Sequence, residues 1–358
     1  MDTLRKNSPN VKFWNGKRVL ITGHTGFKGT WLHQWLHQMG AEIAGLSFSG
    51  YGSTVLERSS APLSLDIDQD IGTRLWQAEV ADFAPQIIFH LAAQSLVFTG
   101  LHDPVGTFET NFMGSLHVLE LFQTLPSIQT IIVATTDKVY EISDGDSAKI
   151  ETDALGGKDP YSASKGTVEL LARSWPITST QRLLTGRSGN VIGGGDSSPK
   201  RLIPDLVRAW KNNDELFLRS PSGIRPWLHV LEPLRGYILL AERSKTLTQN
   251  KAAFNFAPPK SDHVSVINLA DRAMNCLPSR DGFKIVESSN DTFPETLELL
   301  LDSSKAKKVL DWYPVWSWDT AVDKTLGWYK QYFEGRGASL LIQKDIHDYL
   351  LDLEKQPI

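Results

Sequence analysis

Tyr161 and Lys165 stand four residues apart in Tyr161-Ser162-Ala163-Ser164-Lys165. On a helix that spacing puts them on one face, one turn apart, with an ammonium beside a phenol. A nearby cation favours phenolate and draws a tyrosine from its usual ~10 toward the range where it can act as a base. Earlier in the chain, Thr135-Thr136-Asp137-Lys138-Val139-Tyr140 groups hydroxyl, carboxylate and amine directly after an apolar run. Each set alone has a plainer reading: a Tyr–Lys pair is most often a solvated helix face, and Asp or Thr after a strand often caps a helix. Occurring together, they read as an acid/base device.

The elements needed to hold such a device are legible. Lys17-Arg18-Val19-Leu20-Ile21-Thr22 is a strand-like run that stops at Gly23-His24-Thr25-Gly26-Phe27-Lys28-Gly29. Trp31, Leu32, Trp35, Leu36 and Met39 then follow at helical spacing up to Gly40. Strand, glycine turn and helix form the setting of a dinucleotide fingerprint, here spaced GxxGxxG: glycine lets the pyrophosphate approach, and the helix N-terminus supplies free N–H groups. Glu42–Leu46 reads as a second strand. It ends in Ser47-Phe48-Ser49, which offers neither the acid that holds the ribose of NAD nor the arginine that favours NADP; NAD is the preferred cofactor. A third strand, Leu63–Ile67, carries Asp66, which either meets the adenine or caps the next helix. The fourth, Gln86–Leu91, runs into Ala92-Ala93-Gln94, small residues that leave room for a cofactor. Helical periodicity covers Val105–Leu125, and Thr130–Ala134 gives a fifth strand. This alternation predicts an α/β fold with a doubly wound parallel Rossmann sheet.

Past a sixth strand at Arg182–Thr185 comes a glycine-rich bend, Arg187–Asp196, and the alternation loosens. The expected organisation is an NAD-binding domain over residues 14–189 with some return of chain from later segments. A smaller C-terminal substrate lobe occupies mainly 190–335, and an amphipathic C-terminal helix occupies 336–358. Residues 144–158, rich in Asp and Gly, read as a surface loop at the site entrance. Arg187, Arg201, Arg219 and Arg225 are candidates for holding a diphosphate, because guanidinium matches phosphate geometry.

Composition excludes several classes. The 358 residues carry a net charge of -4 with no run of Lys or Arg, so neither nucleic acid nor an anionic membrane surface is an expected partner. Cys276 is the single cysteine, which excludes an internal disulfide; no metal is expected. The polar Met1–Asn15 has no apolar leader, and no segment stays apolar for the ~20 residues a membrane span needs. A cytoplasmic protein is expected.

Four motifs in order, at Gly23–Gly29, Leu91–Gln94, Thr135–Tyr140 and Tyr161–Lys165, resemble the extended short-chain dehydrogenase/reductase superfamily. Within it the chain looks most like the CDP-glucose 4,6-dehydratases, on Gly26–Leu32, Leu155–Ser162, Gly189–Asp196, Arg225–Leu234 and Leu301–Ala306; the likeness runs from about Trp14 to Tyr332. The resemblance implies a redox-neutral dehydration of a nucleotide sugar, CDP-glucose favoured. Tyr161 would take the proton of the sugar 4-hydroxyl while hydride passes from C4 to NAD, Lys165 would hold the ribose, and Thr136 would bind the same hydroxyl. Asp137 would protonate the departing 6-hydroxyl. Lys138 stands where related dehydratases carry Glu, and would act either as the C5 base or as a cation stabilising the enolate.

The resemblance also implies cofactor contacts from Gly23, Thr25, Gly26, Phe27, Lys28, Gly29, Asp66, Ile67, Leu91, Ala92, Ala93, Gln94 and Asn111. Substrate contacts would come from Asn190, Arg201, Leu202, Arg219, Arg225, Asn255 and Glu295. It implies a homo-oligomer formed through the helices near Val105–Leu125 and Tyr161–Trp175, and a product used for dideoxyhexoses of bacterial O-antigens. Four features depart from the family's pattern and should surround the substrate: Leu96–Leu101, the loop between Tyr140 and Gly156, a short stretch before the sixth strand, and Phe293-Pro294-Glu295. Alternatives are a dehydratase for another nucleotide, a nucleotide-sugar 4-epimerase, or a non-catalytic NAD sensor.

Overall fold

A computed structural model describes residues 7–51, 61–143, 145–287 and 298–356. In chain order its main elements are β1 (Arg18–Thr22), α1 (Phe27–Gln38), β2 (Glu42–Ser47), β3 (Leu65–Asp68), β4 (Ile87–His90), α2 (Gly114–Thr124), β5 (Thr130–Thr136), α3 (Pro160–Ser174), β6 (Arg182–Ser188), α4 (Leu202–Asn212), α5 (Leu231–Arg243), β7 (Lys251–Phe256), α6 (Trp318–Phe333) and α7 (Ala338–Lys355). Seven of the described strands form one parallel sheet in the order β7-β6-β5-β4-β1-β2-β3. Strand order reverses between β1 and β4, which opens a crevice at the carboxyl ends of those two strands.

Alternate residues of each strand supply two apolar layers, as the period of a strand requires. Val19, Ile21, Ile87, Phe89 and Ile132 face the layer containing Trp31, Trp35 and α5. Leu20, Ile88, Ile131 and Val133 face the layer containing Val118, Phe122 and Val168. Both faces being covered, the strands read as nearly continuous apolar runs.

The doubly wound sheet expected from the sequence is present. Its sixth strand is longer than the sequence signalled, running to Ser188, and β7 returns to the sheet from within 190–335. The amphipathic tail forms α7 and docks on α1: Trp35 and Tyr349 meet edge to face at 5.8 Å, and Gln34 Nε2 donates to Ser339 Oγ at 2.9 Å. Tyr349 Oη donates to Glu232 Oε2 at 2.5 Å, and the buried Arg235 donates to Tyr349 Oη at 2.9 Å and to Asn7 O at 3.0 Å. Both ends of the described chain therefore converge on α5. Among the described residues no helix is long and apolar enough to cross a membrane.

Candidate active site

The glycine turn after β1 is built by backbone contact. Gly23 has φ +74, and a Cβ there would lie 2.7 Å from Ala92 N; a Cβ on Gly29 would lie 2.0 Å from Gly23 O. Only glycine lets the exit of β4, the turn and the first turn of α1 come this close. Gly26 caps α1 with no side-chain hydrogen bond, so first-turn N–H groups stay available to an anion. These features fit the pyrophosphate of a dinucleotide.

Ser47, at the end of β2, accepts from Thr25 N–H at 3.2 Å and lies 3.0 Å from His24 Nδ1. The position that would carry an acid in the usual fingerprint thus ties down the turn instead. Asp66 caps no helix: it lies 3.2 Å from His24 Nε2 with its carboxylate 68% exposed, and Ile67 is core. Asn111 accepts from Gln94 N–H at 2.8 Å and donates to Gln94 O and Ser164 Oγ, both at 2.9 Å, binding the exit of β4 to α3. Gly23, Gly26, Phe27, Lys28, Gly29, Leu91, Ala92 and Ala93 line the cavity itself, and Thr25, Asp66, Ile67, Gln94 and Asn111 lie outside its lining.

That cavity, about 990 Å³, sits at the carboxyl ends of the central strands. It is at the top of the range for a single small-molecule site, as room for a dinucleotide and a second ligand requires. Thr136, Asp137, Lys138, Tyr161 and Lys165 all line it. β5 delivers the first three. Thr136 Oγ donates to Asp137 Oδ1 at 2.8 Å and accepts from Lys138 N–H at 3.3 Å, which fixes the turn. α3 delivers the other two: Pro160 occupies its first turn and Asp159 accepts from Ser162 N–H at 3.0 Å, so Tyr161 is held at a capped helix start.

Burial dominates the electrostatics, and here the sequence-based expectation for the pair is corrected. Tyr161 is pushed up to about 12 by burial, against the Thr136 hydroxyl and Arg201, which favour phenolate. Lys165 donates to Ala134 O at 3.2 Å and is itself brought down to about 8 by burial, with Glu169 opposing. The ammonium therefore does not by itself bring Tyr161 into the neutral range. Lys28 donates to Ser188 Oγ at 2.9 Å and is brought down to about 7 by burial, with Arg201 and Lys165 repelling it. Burial raises the Asp137 carboxyl above its ordinary range, although Lys138 and Thr136 pull it down, and its buried Oδ2 has no hydrogen-bond partner. Asp137 thus has the character of a proton donor at the cavity wall.

On the substrate side, Asn190, Arg201, Leu202, Arg219 and Arg225 line the cavity. Arg201 bridges Ser95 and Asp196, and Arg219 Nη2 donates to Lys200 O at 2.8 Å. Two assignments change. Asn255 is fully buried, accepts from Tyr140 Oη at 2.7 Å and donates to Lys149 O and Asp302 O, away from the cavity. Arg187 is buried in an ion pair with Glu169 at 2.7 Å, because β6 turns it under the site and not toward it. Glu295 lies outside the described residues. Leu96, Val97, Phe98 and Leu101, from the first departing stretch, do line the cavity. Ser95, Lys158, Ser188 and Asp196 were not singled out from the sequence; Ser95 directly follows Ala92-Ala93-Gln94, and Asp196 closes the glycine triplet 193–195.

The sequence profile of the NAD dependent epimerase/dehydratase family matches residues 19–257. CDP-glucose 4,6-dehydratase of Salmonella typhimurium is 36% identical over 359 residues, covering 94% of this chain and 97% of the relative. Among solved structures, an epimerase from Methanothermobacter thermautotrophicus superposes with a TM-score of 0.81 at 22% identity, covering 93% of this chain and 96% of its own. A dTDP-glucose 4,6-dehydratase from Streptomyces venezuelae, solved with NAD, gives 0.76 at 23% identity, covering 88% and 97%. Together with the glycine cradle, the order of the strands and the residues gathered at their ends, these matches show that the chain belongs to the NAD dependent epimerase/dehydratase family.

Proposed function

We propose that this chain dehydrates CDP-glucose to CDP-4-dehydro-6-deoxyglucose. The observation that carries the reading is Asp137: a buried carboxyl raised toward its protonated form, with an unpartnered oxygen, on the wall that also holds Tyr161 and Lys165. A 4-epimerase has no use for an acid at C6. The 36% identity with a CDP-glucose 4,6-dehydratase supports the choice of substrate.

The cofactor is NAD, as the family requires. When bound, it would supply an acceptor for hydride from C4 of the sugar and, once reduced, a hydride donor to C6. The chain's residues do the rest. Tyr161 accepts the 4-hydroxyl proton; Thr136 and Arg201 favour its phenolate against the burial that opposes it. Lys165 holds the cofactor's ribose. The 4-keto group acidifies the C5 hydrogen, and Lys138 takes that proton or stabilises the enolate as a cation. Asp137 gives its proton to the 6-hydroxyl, which leaves as water. A proton would return to C5 from Lys138, or from solvent where Lys138 only stabilises the enolate, with the hydride going to C6; passage of the Tyr161 proton through solvent to Asp137 would restore both groups, with no net oxidation. Arg201, Arg219 and Arg225 hold the diphosphate, and the glycine turn with the N-terminus of α1 holds the cofactor's pyrophosphate.

We further assign the enzyme to the cytoplasm, where it supplies dideoxyhexoses for bacterial O-antigens. It acts as a homodimer formed through the helices after β4 and β5. An open apolar depression lined by Pro104, Val105, Phe108, Phe112 and Met113, and the exposed Leu170 on α3, support that interface.

The test is incubation of the purified protein with CDP-glucose and no added reductant, following the alkali-induced absorbance of a 4-keto-6-deoxy sugar, with dTDP-, GDP- and UDP-sugars in parallel. Product from CDP-glucose alone supports the reading. Product from another nucleotide overturns the specificity, and product from none overturns the activity.

A further inference from the structure

One helical turn beyond Lys165, Glu169 lies on the same face of α3 and is buried. Both of its oxygens are engaged. Thr135 Oγ donates to Oε1 at 2.5 Å, while Thr185 Oγ and Arg187 Nη2 donate to Oε2 at 2.8 and 2.7 Å. Arg187 Nη1 also donates to Tyr140 Oη at 2.7 Å. A buried ion pair is weak evidence for stability, because apolar side chains of similar volume often serve as well or better. The carboxylate's position is informative for a different reason.

Lys165 is buried as well, and among the described residues its ammonium donates to one neutral acceptor, Ala134 O. From the elements packed around it, Lys28 of α1 adds a like charge and His90 of β4 is kept neutral by burial, down to about 3. The turn after β5 brings Asp137, with its raised carboxyl, and Lys138. Tyr161 precedes it by one turn on its own helix. Against burial and these neighbours, Glu169 is the group that favours charge on Lys165. Its contacts with Thr135 and Thr185 also join α3 to β5 and β6, next to Thr136.

We propose that Glu169 is a positioning residue for the Tyr161–Lys165 pair: clamped by Thr135, Thr185 and Arg187, its carboxylate is the fixed counter-charge that keeps the Lys165 ammonium charged beneath the cavity. Arg187 sets the strength of that counter-charge by pairing with it. The catalytic meaning of this arrangement rests on the dehydratase reading, but the electrostatic part does not.

The experiment is an NMR titration of lysine side chains labelled at Cε, with the Lys165 signal assigned as the one lost in Lys165→Met. In Glu169→Gln the Lys165 midpoint falls by one pH unit or more, roughly tenfold in proton affinity. In Arg187→Met, which leaves the carboxylate unpaired, it rises, and Glu169→Asp keeps it near the native value. Loss of packing alone would not move the two charge variants in opposite directions. In parallel, the alkaline limb of turnover shifts down with the midpoint in Glu169→Gln. An unchanged midpoint in the folded Glu169→Gln protein overturns the proposal. So does a midpoint below neutrality in the unaltered protein, which needs no variant to fold. Failure of the dehydratase reading would instead appear as absence of turnover in the native enzyme with the titration behaviour intact.

Discussion

Arg201 reaches across the mouth of the cavity to donate from Nη2 to Ser95 Oγ at 3.0 Å, while its Nη1 lies 3.3 Å from Asp196 Oδ2. The loop after β4 and the bend after β6 are thereby joined through one guanidinium, whose fork suits a diphosphate. Replacing it with Met should raise KM for the sugar nucleotide about 10- to 100-fold, the range of a charge-assisted hydrogen bond. The same variant should also lower kcat at neutral pH, because Arg201 favours the Tyr161 phenolate, and that part of the defect should shrink as pH rises. Arg201→Lys should recover only part. A kcat defect with native KM would place Arg201 off the substrate.

Asp137→Asn separates the two halves of the reaction. The amide cannot give up a proton to the 6-hydroxyl, yet Tyr161 and Lys165 remain. Turnover should fall about 10²- to 10⁴-fold, and absorbance of reduced cofactor should accumulate on the enzyme when substrate is added. Loss of turnover without that absorbance would mean that Asp137 serves the first oxidation instead.

The role of Lys138 is decided by pairing two variants. Lys138→Met should lower turnover on the order of 10²-fold, whether a base or a stabilising cation is lost. Lys138→Arg keeps the charge but cannot accept a proton. Exchange of the C5 hydrogen with deuterated water, measured on the sugar, should vanish in both if Lys138 is the base and survive in the Arg variant if it stabilises the enolate.

Away from the site, Glu242 accepts from Asn10 N–H at 2.7 Å and Trp14 Nε1–H at 2.6 Å, and burial pushes it up to about 7. A folded chain that holds this proton after the unfolded chain has released it loses stability as pH rises. The contribution is full below the ordinary glutamate range and gone above about 7. Glu242→Gln should therefore raise the melting temperature at about pH 8 by roughly 2–6 °C and change it little at about pH 4. Equal shifts at both would contradict this account.

Much of this was legible in the sequence because the sheet is covered on both faces. β1, β4 and β5 announce themselves as apolar runs, and the residues that follow them at Gly23, Leu91 and Thr136 are set at the site by topology alone. β7, Lys251-Ala252-Ala253-Phe254-Asn255-Phe256, carries no such run; it is a strand because it pairs with β6. Side-chain direction was the other blind spot. Arg187 was a diphosphate candidate by residue type and Asn255 a substrate contact by resemblance, yet their strands aim them at Glu169 and Tyr140. Glu169 itself looked like any polar position on a helix, and its burial depends on a partner 18 residues later. The phenol's acidity was misjudged because spacing reports a neighbouring cation but not how deeply both groups are buried.

The docking of α7 on α1 bears on how this protein is made. Synthesis runs from the N-terminus, so α1 leaves the ribosome well before the α7 residues that cover Trp35 and Gln34. Until α7 has been made, Trp35 lacks its edge-to-face contact with Tyr349 and Gln34 its bond to Ser339, so the nucleotide turn rests on a helix whose outer face is still uncovered.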